Sequence, residues 1–290
     1  MNIKLWILAS RPVTLGASLA PVLIAGGLAY SRMLFNFWPF LVALICALFI
    51  QVGTNFANDY YDFLTGADKN RTGFVRMIQS GSIAPHQMKI AFIFMFALAI
   101  LLGVYLIIIG GWLIAVIGIL AICFGVLYTG GPYPLAYIGF AEFFVIIFFG
   151  PIATWGTYYV QTLQSSNIAI IAGLAPGFLS CALLAVNNLR DINQDKLVGK
   201  KTLAVRFGEI FARSECIIFI LAAAMVPIFL FKCNPNKPFL LGGCVIIIFA
   251  VPSIKLICYS RDRQKLNKTL ISTGRMLFLL GTLITLGFLI

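Results

Sequence analysis

Five of the nine carboxylates in this sequence fall into two short clusters. In the first cluster, Asp59 and Asp62 stand three residues apart and Asp68 follows; in the second, Asp191 and Asp195 stand four apart. Residues three or four apart share one face of a helix, so each cluster predicts a carboxylate-bearing helix face. Two like charges at this spacing repel each other unless a cation or a proton lies between them. The clusters therefore predict a cation site.

Amide side chains accompany both acidic faces, and they indicate which cation would bind. Asn55 and Asn58 lie beside the first cluster, and Asn187 and Asn188 precede the second. No histidine or cysteine stands among them, and a donor set made only of oxygen suits a hard ion such as Mg²⁺. Mg²⁺ takes one or two protein carboxylates and completes its shell with water and substrate phosphates. The candidate metal ligands are Asp59, Asp62, Asp68, Asp191 and Asp195.

Basic residues follow each acidic cluster and indicate a phosphorylated substrate. Lys69, Arg71 and Arg76 follow the first cluster, while Arg190 and Lys200 flank the second. An ion channel or a proton relay has little use for these cations, whereas a metal-bound diphosphate needs them. The candidate substrate-binding residues are Asn55, Asn58, Asp68, Arg71, Arg76, Asn187, Asn188, Lys200, Tyr61 and Tyr158. For the two tyrosines, stabilisation of a carbocation by the ring face and a place in the membrane interface both remain open.

The elements that position these residues must be membrane helices. Of the 290 residues, 61% are hydrophobic and only 10% are charged, against about 25% charged in a soluble domain. A net charge of +12 could indicate a nucleic-acid partner, but proteins that bind nucleic acids are rarely so apolar. The apolar composition therefore argues against such a partner. The cysteines stand singly and His86 is the only histidine, which argues against a zinc site. The composition predicts an integral membrane protein in contact with lipid.

Nine apolar segments are long enough to cross a bilayer, and they predict an all-α membrane protein. In lipid, backbone polar groups need partners within the segment, so these segments must be helices. We expect a single domain over 1–290, with two similar four-helix halves at about 13–128 and 138–257 and a ninth helix at about 271–290. The oligomeric state stays open. The predicted spans are 13–30, 39–59, 90–109, 112–128, 138–159, 169–188, 216–231, 239–257 and 271–290.

The basic residues also predict how the chain is oriented in the membrane. With nine spans, 16 lysines and arginines fall on the side that holds the N-terminus and both acidic clusters. Only Arg32, Lys232 and Lys237 fall on the other side. Loops rich in lysine and arginine stay in the cytoplasm. The sequence therefore predicts a multi-pass protein of the cell (inner or plasma) membrane, with a central cavity open to the cytoplasmic side.

The segments around both clusters resemble the UbiA superfamily of intramembrane prenyltransferases. Residues 58–62, together with 66–69, are similar to the first acidic motif of that superfamily, and 187–191 with 199–208 are similar to the second. Residues 128–135 are similar to a segment of the members that prenylate 1,4-dihydroxy-2-naphthoate. The resemblance runs through the chain in order and covers its topology as well as its motifs. It implies the nine-helix bundle of that superfamily.

What the resemblance implies is Mg²⁺-dependent transfer of a polyprenyl group from its diphosphate to 1,4-dihydroxy-2-naphthoate, with decarboxylation. The product would be demethylmenaquinol, in menaquinone biosynthesis. The general superfamily motif has its third aspartate at the position of Gly66, whereas here the aspartate is Asp68, as in the naphthoate-type members. A 4-hydroxybenzoate or homogentisate acceptor, and a cation-coupled secondary transporter, remain alternatives. The catalytic residues so implied are Asp59, Asp62, Asp191, Asp195, Lys69 and Arg190.

Overall fold

The chain is built from α-helices whose length and apolarity match a lipid bilayer. The computed structural model describes residues 2–67, 73, 76–260 and 262–290. A π-helical turn (Phe148–Ile152) links α7 to α8, and a 3₁₀ helix (Pro238–Val245) precedes α11. The helices are α1 (Ile3–Ala9), α2 (Pro12–Ser31), α3 (Phe37–Leu64), α4 (Pro85–Gly110), α5 (Trp112–Leu127), α6 (Leu135–Ile138), α7 (Ala141–Ile147), α8 (Ala153–Thr162), α9 (Asn167–Leu197), α10 (Leu203–Cys233), α11 (Ile246–Tyr259) and α12 (Leu266–Leu289).

Eight helical segments of the described chain are long and apolar enough to cross a membrane, which confirms the predicted multi-pass membrane protein. The predicted span 112–128, the fourth of the nine, corresponds to α5, which is apolar but only 16 residues long. Two predicted spans end too early: α3 continues to Leu64 and α9 to Leu197. The apolar run stops where polar residues begin, but the helix continues because those polar side chains are buried against other helices instead of facing lipid.

The helix predicted over 138–159 is broken in the middle. Pro151 lacks a backbone N–H, and Gly150 has non-helical dihedral angles, so α7 and α8 meet at the π-helical turn. At this break the chain packs directly on the backbone of α9. A Cβ atom built on Gly177 of α9 would lie 2.5 Å from the carbonyl oxygen of Ile146 and 3.2 Å from Cα of Gly150. The absence of a side chain at Gly177 therefore lets the two helices touch.

We expect Gly177→Ala to destabilise the protein by about 1–3 kcal/mol, because the added methyl group meets backbone atoms that cannot rotate away. The measurement is thermal unfolding in detergent. Gly103→Ala in α4 is the matched control, since a Cβ there meets nothing within 4 Å. Alanine favours a helix over glycine, so the control should unfold at the same temperature or slightly higher. Equal losses in both variants would contradict the close packing at Gly177.

The last turns of α3 and α9 meet at one end of the bundle, which we call the acid end. The loop after α9 contacts α3 through Lys200 and Asp62, and Arg190 of α9 contacts Asn267 at the start of α12. Helix α9 packs against α10, α12 and the broken helix, and it lies in the largest apolar core of the described residues. A smaller core, which includes Phe56 and Phe92, lies beneath the acidic turn of α3. The packing therefore holds both acidic helix turns at the same end of the protein.

Candidate functional site

Lys200 joins the two acidic clusters. Its ammonium Nζ lies 3.3 Å from Oδ1 of Asp62 and 3.9 Å from Oδ1 of Asp195. All three side chains are buried, and the backbone N–H of Lys200 donates to the carbonyl oxygen of Asp195 at 2.9 Å, which closes the end of α9. Carboxylates from helices more than 130 residues apart in sequence thus face one cation. The two predicted acidic faces form a single site.

The chain that follows α3 folds back onto the acids of the first cluster. Arg76 Nη2 donates to Oδ2 of Asp62 at 2.9 Å, and the backbone N–H of Met77 donates to Oδ2 of Asp59 at 3.1 Å. Both carboxylates are 2% exposed. Asp62 therefore contacts two cations, Arg76 and Lys200, and one of the partners of Asp59 is a backbone N–H. Although they share one helix face, the two acids have different surroundings.

Arg190 is buried and makes four hydrogen bonds within the protein. Its Nε and Nη2 donate to the two carboxylate oxygens of Asp191, both at 2.6 Å. Nη2 also donates to Asn187 at 2.6 Å, and Nη1 donates to Asn267 of α12 at 2.9 Å. A Cβ atom on Gly73 would lie 2.5 Å from Nη2, so the chain after the first cluster passes directly over this guanidinium. The geometry of Arg190 is that of a residue that holds Asp191 in place.

The asparagines predicted to bind substrate tie helices together. Asn55 Nδ2 donates to the carbonyl oxygen of Ser10 at 2.8 Å and to Oγ1 of Thr14 at 3.0 Å. Oδ1 of Asn58 accepts a 2.8 Å hydrogen bond from the hydroxyl of Thr129. Each asparagine lies one turn from an aspartate of the first cluster. These contacts connect α3 to α2 and to the end of α5, and so they fix the position of the acidic turn.

Asn188 has the same role on α9. Its Nδ2 donates to Oε1 of Glu142, at the start of α7, at 3.0 Å. Sequence reasoning missed Thr129 as a site-supporting residue. Thr129 lies in the segment 128–135, and the resemblance of that segment was the only sequence signal for Thr129. Glu142 stands alone in an apolar stretch.

The two predicted tyrosines have different locations. Tyr61 lies at the acid end, where its ring packs on Gly130 and Phe92. Tyr158 is 4% exposed and belongs to the apolar core around α9, so the structure does not bring it to the acids. Tyr158 follows Glu142 by 16 residues along the broken helix, which corresponds to about 24 Å of helical rise. The predicted substrate contact of Tyr158 stays a prediction.

Tyr137 is a site residue that sequence reasoning missed. The ammonium of Lys200 lies 4.7 Å from the centre of its ring, and its hydroxyl is 3.0 Å from the hydroxyl of Thr65. Burial raises the pKa of the Tyr137 phenol, so this group stays protonated at neutral pH. Its ring forms one wall of the site around Lys200. The predicted residues Asp68, Lys69 and Arg71 lie outside the part of the chain that the structure describes.

An apolar cavity of about 230 Å³ lies within the bundle, among α2, α3, α5 and the broken helix. Its few polar side chains include Gln51 of α3 and Tyr128 after α5. Gln51 Nε2 donates to Thr14 at 3.2 Å, and Thr14 also accepts the hydrogen bond from Asn55. Gln51, Asn55 and Asp59 follow one another at four-residue intervals on α3. A polar stripe therefore leads from the cavity to the acids.

The arrangement fits a divalent cation that is shared with a substrate. In the described part of the chain, no three histidine, cysteine, aspartate or glutamate side chains come close enough to enclose a metal ion by themselves. Asp62 and Asp195 do converge on one positive charge, the Lys200 ammonium, through oxygen atoms. Mg²⁺ characteristically binds one or two carboxylates and takes its remaining ligands from water and phosphate. Two carboxylates with nearby basic side chains match that requirement.

Comparison with known proteins gives the family. The model of the UbiA prenyltransferase family matches residues 18–282. The 1,4-dihydroxy-2-naphthoate octaprenyltransferase of Mycobacterium tuberculosis is 35% identical over 247 residues, 85% of this chain and 82% of that protein. The enzyme of the same name from Haemophilus influenzae is 34% identical over 299 residues, covering 100% of this chain and 97% of that protein.

A solved structure supports the same fold. A UbiA homolog from Archaeoglobus fulgidus, bound to GPP and Mg²⁺, matches this structure with a TM-score of 0.69 at 16% identity. The alignment covers 99% of this chain and 100% of the homolog. With the family match and the two relatives, this result confirms the predicted enzyme class, a prenyltransferase. The chain belongs to the UbiA prenyltransferase family.

Proposed function

We propose that this enzyme transfers a polyprenyl group from its diphosphate to 1,4-dihydroxy-2-naphthoate, with loss of the carboxylate, in menaquinone biosynthesis. The observation that carries the proposal is the convergence of Asp62 and Asp195 on Lys200 at the acid end. The names of the relatives from M. tuberculosis and H. influenzae support the naphthoate acceptor. The apolar cavity supports an isoprenoid donor, because it offers an apolar chain a place within the bundle.

The buried charges provide a site for the diphosphate. Asp62 and Asp195 would hold Mg²⁺, with Asp59 and Asp191 beside them. A bound Mg²⁺ supplies Lewis-acid stabilisation of the negative charge on the leaving diphosphate. Arg76 and Lys200, which contact Asp62 in this structure, lie where they can bind the oxygens of the diphosphate. Fixed cations of this kind stabilise charge that develops as the C–O bond breaks.

The residues below the acids would protect the reactive carbon. Water would capture an allylic cation, so the reaction needs a site closed to solvent. The cavity next to the polar stripe of α3 is lined mainly by apolar side chains, among them Phe144 and Phe148. We infer that the first isoprene units lie there, and that the naphthoate ring approaches between this cavity and the acids.

We also propose the membrane topology that the sequence predicts. Helix α4 leaves the acid end, and Thr129, just after α5, contacts Asn58 at the acid end again. Helix α5 must therefore return across the same thickness, which makes nine crossings: two four-helix halves followed by α12. The excess of lysine and arginine in the loops of the acid end supports a cytoplasmic location for this end and for the mouth of the cavity. For a bacterial chain this is the inner, or plasma, membrane.

A prenyl-transfer assay with purified enzyme in detergent or lipid nanodiscs tests the proposed function. We expect radiolabelled polyprenyl diphosphate and 1,4-dihydroxy-2-naphthoate to give a prenylated, decarboxylated product with Mg²⁺. Removal of the metal with EDTA should lower the rate roughly 100-fold or more, and added Mg²⁺ should restore it. In parallel reactions, 4-hydroxybenzoate or homogentisate replaces 1,4-dihydroxy-2-naphthoate as the acceptor. Faster turnover of either acceptor, or a rate indifferent to EDTA, would contradict the proposal.

A further inference from the structure

A second cavity opens on the lipid-facing surface between α11 and α12, away from the acids. Its volume is about 570 Å³, within the usual range of ligand sites. Phe249 of α11 lines one wall, and Lys268, Ser272, Arg275 and Leu279 of α12 line the other. We call this cavity the α11–α12 groove. It shares no lining residue with the cavity described above.

The groove changes from basic to apolar along its length. Its four α12 residues are spaced four, three and four apart, so they form one stripe down the helix. Lys268 lies two residues from the start of α12 at the acid end, Arg275 nine residues from it, and Leu279 a further turn below. Helix α11 runs antiparallel to α12, and Phe249 stands ten residues before its end. Phe249 therefore lies at the apolar end of the groove, far from Lys268. This order matches a phospholipid, with its charged headgroup above its acyl chains.

Arg275 carries a charge within a membrane-spanning helix without a protein partner. It is exposed, about 13 Å along α12 from Leu266, and it makes no hydrogen bond or ion pair with any described residue. None of the residues that line the groove is acidic. Charged side chains in membrane helices are costly and normally pair with an opposite charge or face a polar cavity. The long arginine side chain can extend toward Lys268 and the membrane surface, where lipid phosphates lie.

We propose that the α11–α12 groove binds an anionic phospholipid from the leaflet at the acid end. Lys268 and Arg275 bind the lipid phosphate, the hydroxyl of Ser272 donates a hydrogen bond to it, and an acyl chain packs on Phe249 and Leu279. Charge complementarity favours this occupant, because two cations without an acid select an anion. The proposal concerns a site outside the catalytic centre and holds whichever acceptor the enzyme uses.

Native mass spectrometry of the protein released from nanodiscs tests the proposal. The nanodiscs contain equal amounts of phosphatidylglycerol and phosphatidylcholine, and the measured quantity is the ratio of the two lipids that remain bound. We expect the wild type to retain phosphatidylglycerol preferentially. Each cation contributes about fivefold, so Lys268→Gln with Arg275→Gln should lower the ratio about 25-fold. Lys255→Gln is the matched control, since Lys255 is exposed on α11 but does not line the groove.

Several results would overturn the proposal. An unchanged ratio in the double variant would exclude these two cations as the lipid site, and an equal loss in Lys255→Gln would show unspecific attraction to the basic surface. If glycerol phosphate, added at the same concentration as phosphatidylglycerol, displaced the lipid, the acyl chain would contribute nothing to binding. A wild-type dimer that Arg275→Gln dissociates would show that a second copy fills the groove. If the double variant does not fold, Lys268→Gln alone decides, with an expected fivefold loss.

Discussion

Replacing Asp62 with asparagine should lower the rate of prenyl transfer by about 100- to 1,000-fold. Asp62 is the carboxylate that contacts both Arg76 and Lys200, and through Lys200 it faces Asp195. Asparagine keeps the size of the side chain but removes the negative charge that would bind Mg²⁺. The loss should therefore appear in the chemical step and in the Mg²⁺ concentration needed for half-maximal rate. Both quantities come from single-turnover measurements over a range of Mg²⁺ concentrations.

Asp262→Asn is the matched control for this experiment. Asp262 also lies at the acid end, but it is exposed, and among the described residues its side-chain carboxylate accepts a hydrogen bond from the backbone N–H of Gln264 alone. We expect its activity to stay within about twofold of the wild type, since surface substitutions away from special features change little. Thermal unfolding of both variants separates a loss of fold from a loss of chemistry. Near wild-type activity in folded Asp62→Asn would contradict the assignment of Asp62.

The sequence predicts the acidic helix faces because helix periodicity depends only on spacing. Asp59 and Asp62 do share a face of α3, and Asp195 does face the same Lys200 ammonium as Asp62. The different surroundings of Asp59 and Asp62 could not be predicted, because they depend on how residues 76 and 77 fold back. No local pattern specifies that return. The family and the enzyme class follow from the motifs, and the prenyltransferase class leaves the transporter alternative without support.

The errors of the sequence analysis have a common physical cause. Apolar runs show where a helix faces lipid, but they do not show where a helix faces another helix. For this reason α3 and α9 were predicted too short, and the break at Gly150 was missed. Tyr137 was missed because only tertiary structure brings its ring to Lys200.

Arg190 is a predicted catalytic residue whose contacts in the structure point to a different role. The resemblance implies a cation that neutralises the leaving group. In the structure, four hydrogen bonds direct this guanidinium to Asp191, Asn187 and Asn267. At 1% exposed, its side chain has little surface left for a diphosphate. We therefore infer that Arg190 is a positioning residue, which acts by holding Asp191 and by fixing α9 to the start of α12.

Arg190→Met should destabilise the protein by about 3–5 kcal/mol, because it breaks the buried two-pronged ion pair between Arg190 and Asp191. The measurement is the unfolding temperature in detergent without substrate. Arg190→Lys keeps the charge but loses the two-pronged contact with the carboxylate, so it should recover only part of the loss. Arg206→Gln is the matched control: this exposed arginine at the acid end donates only to backbone carbonyl oxygens, and its loss should cost about 1 kcal/mol.

A double-mutant cycle distinguishes the positioning role from diphosphate binding. If Arg190 serves chiefly to hold Asp191, adding Asp191→Asn to Arg190→Met removes the buried negative charge that Arg190 neutralised and should restore part of the lost stability. The coupling energy between the two residues should then exceed about 1 kcal/mol, since residues that share a hydrogen-bond network show coupling energies of about 0.5–3 kcal/mol. Contact with the diphosphate predicts the opposite result. In that case Arg190→Lys would unfold like the wild type and instead raise the KM for the polyprenyl diphosphate, with no coupling to Asp191.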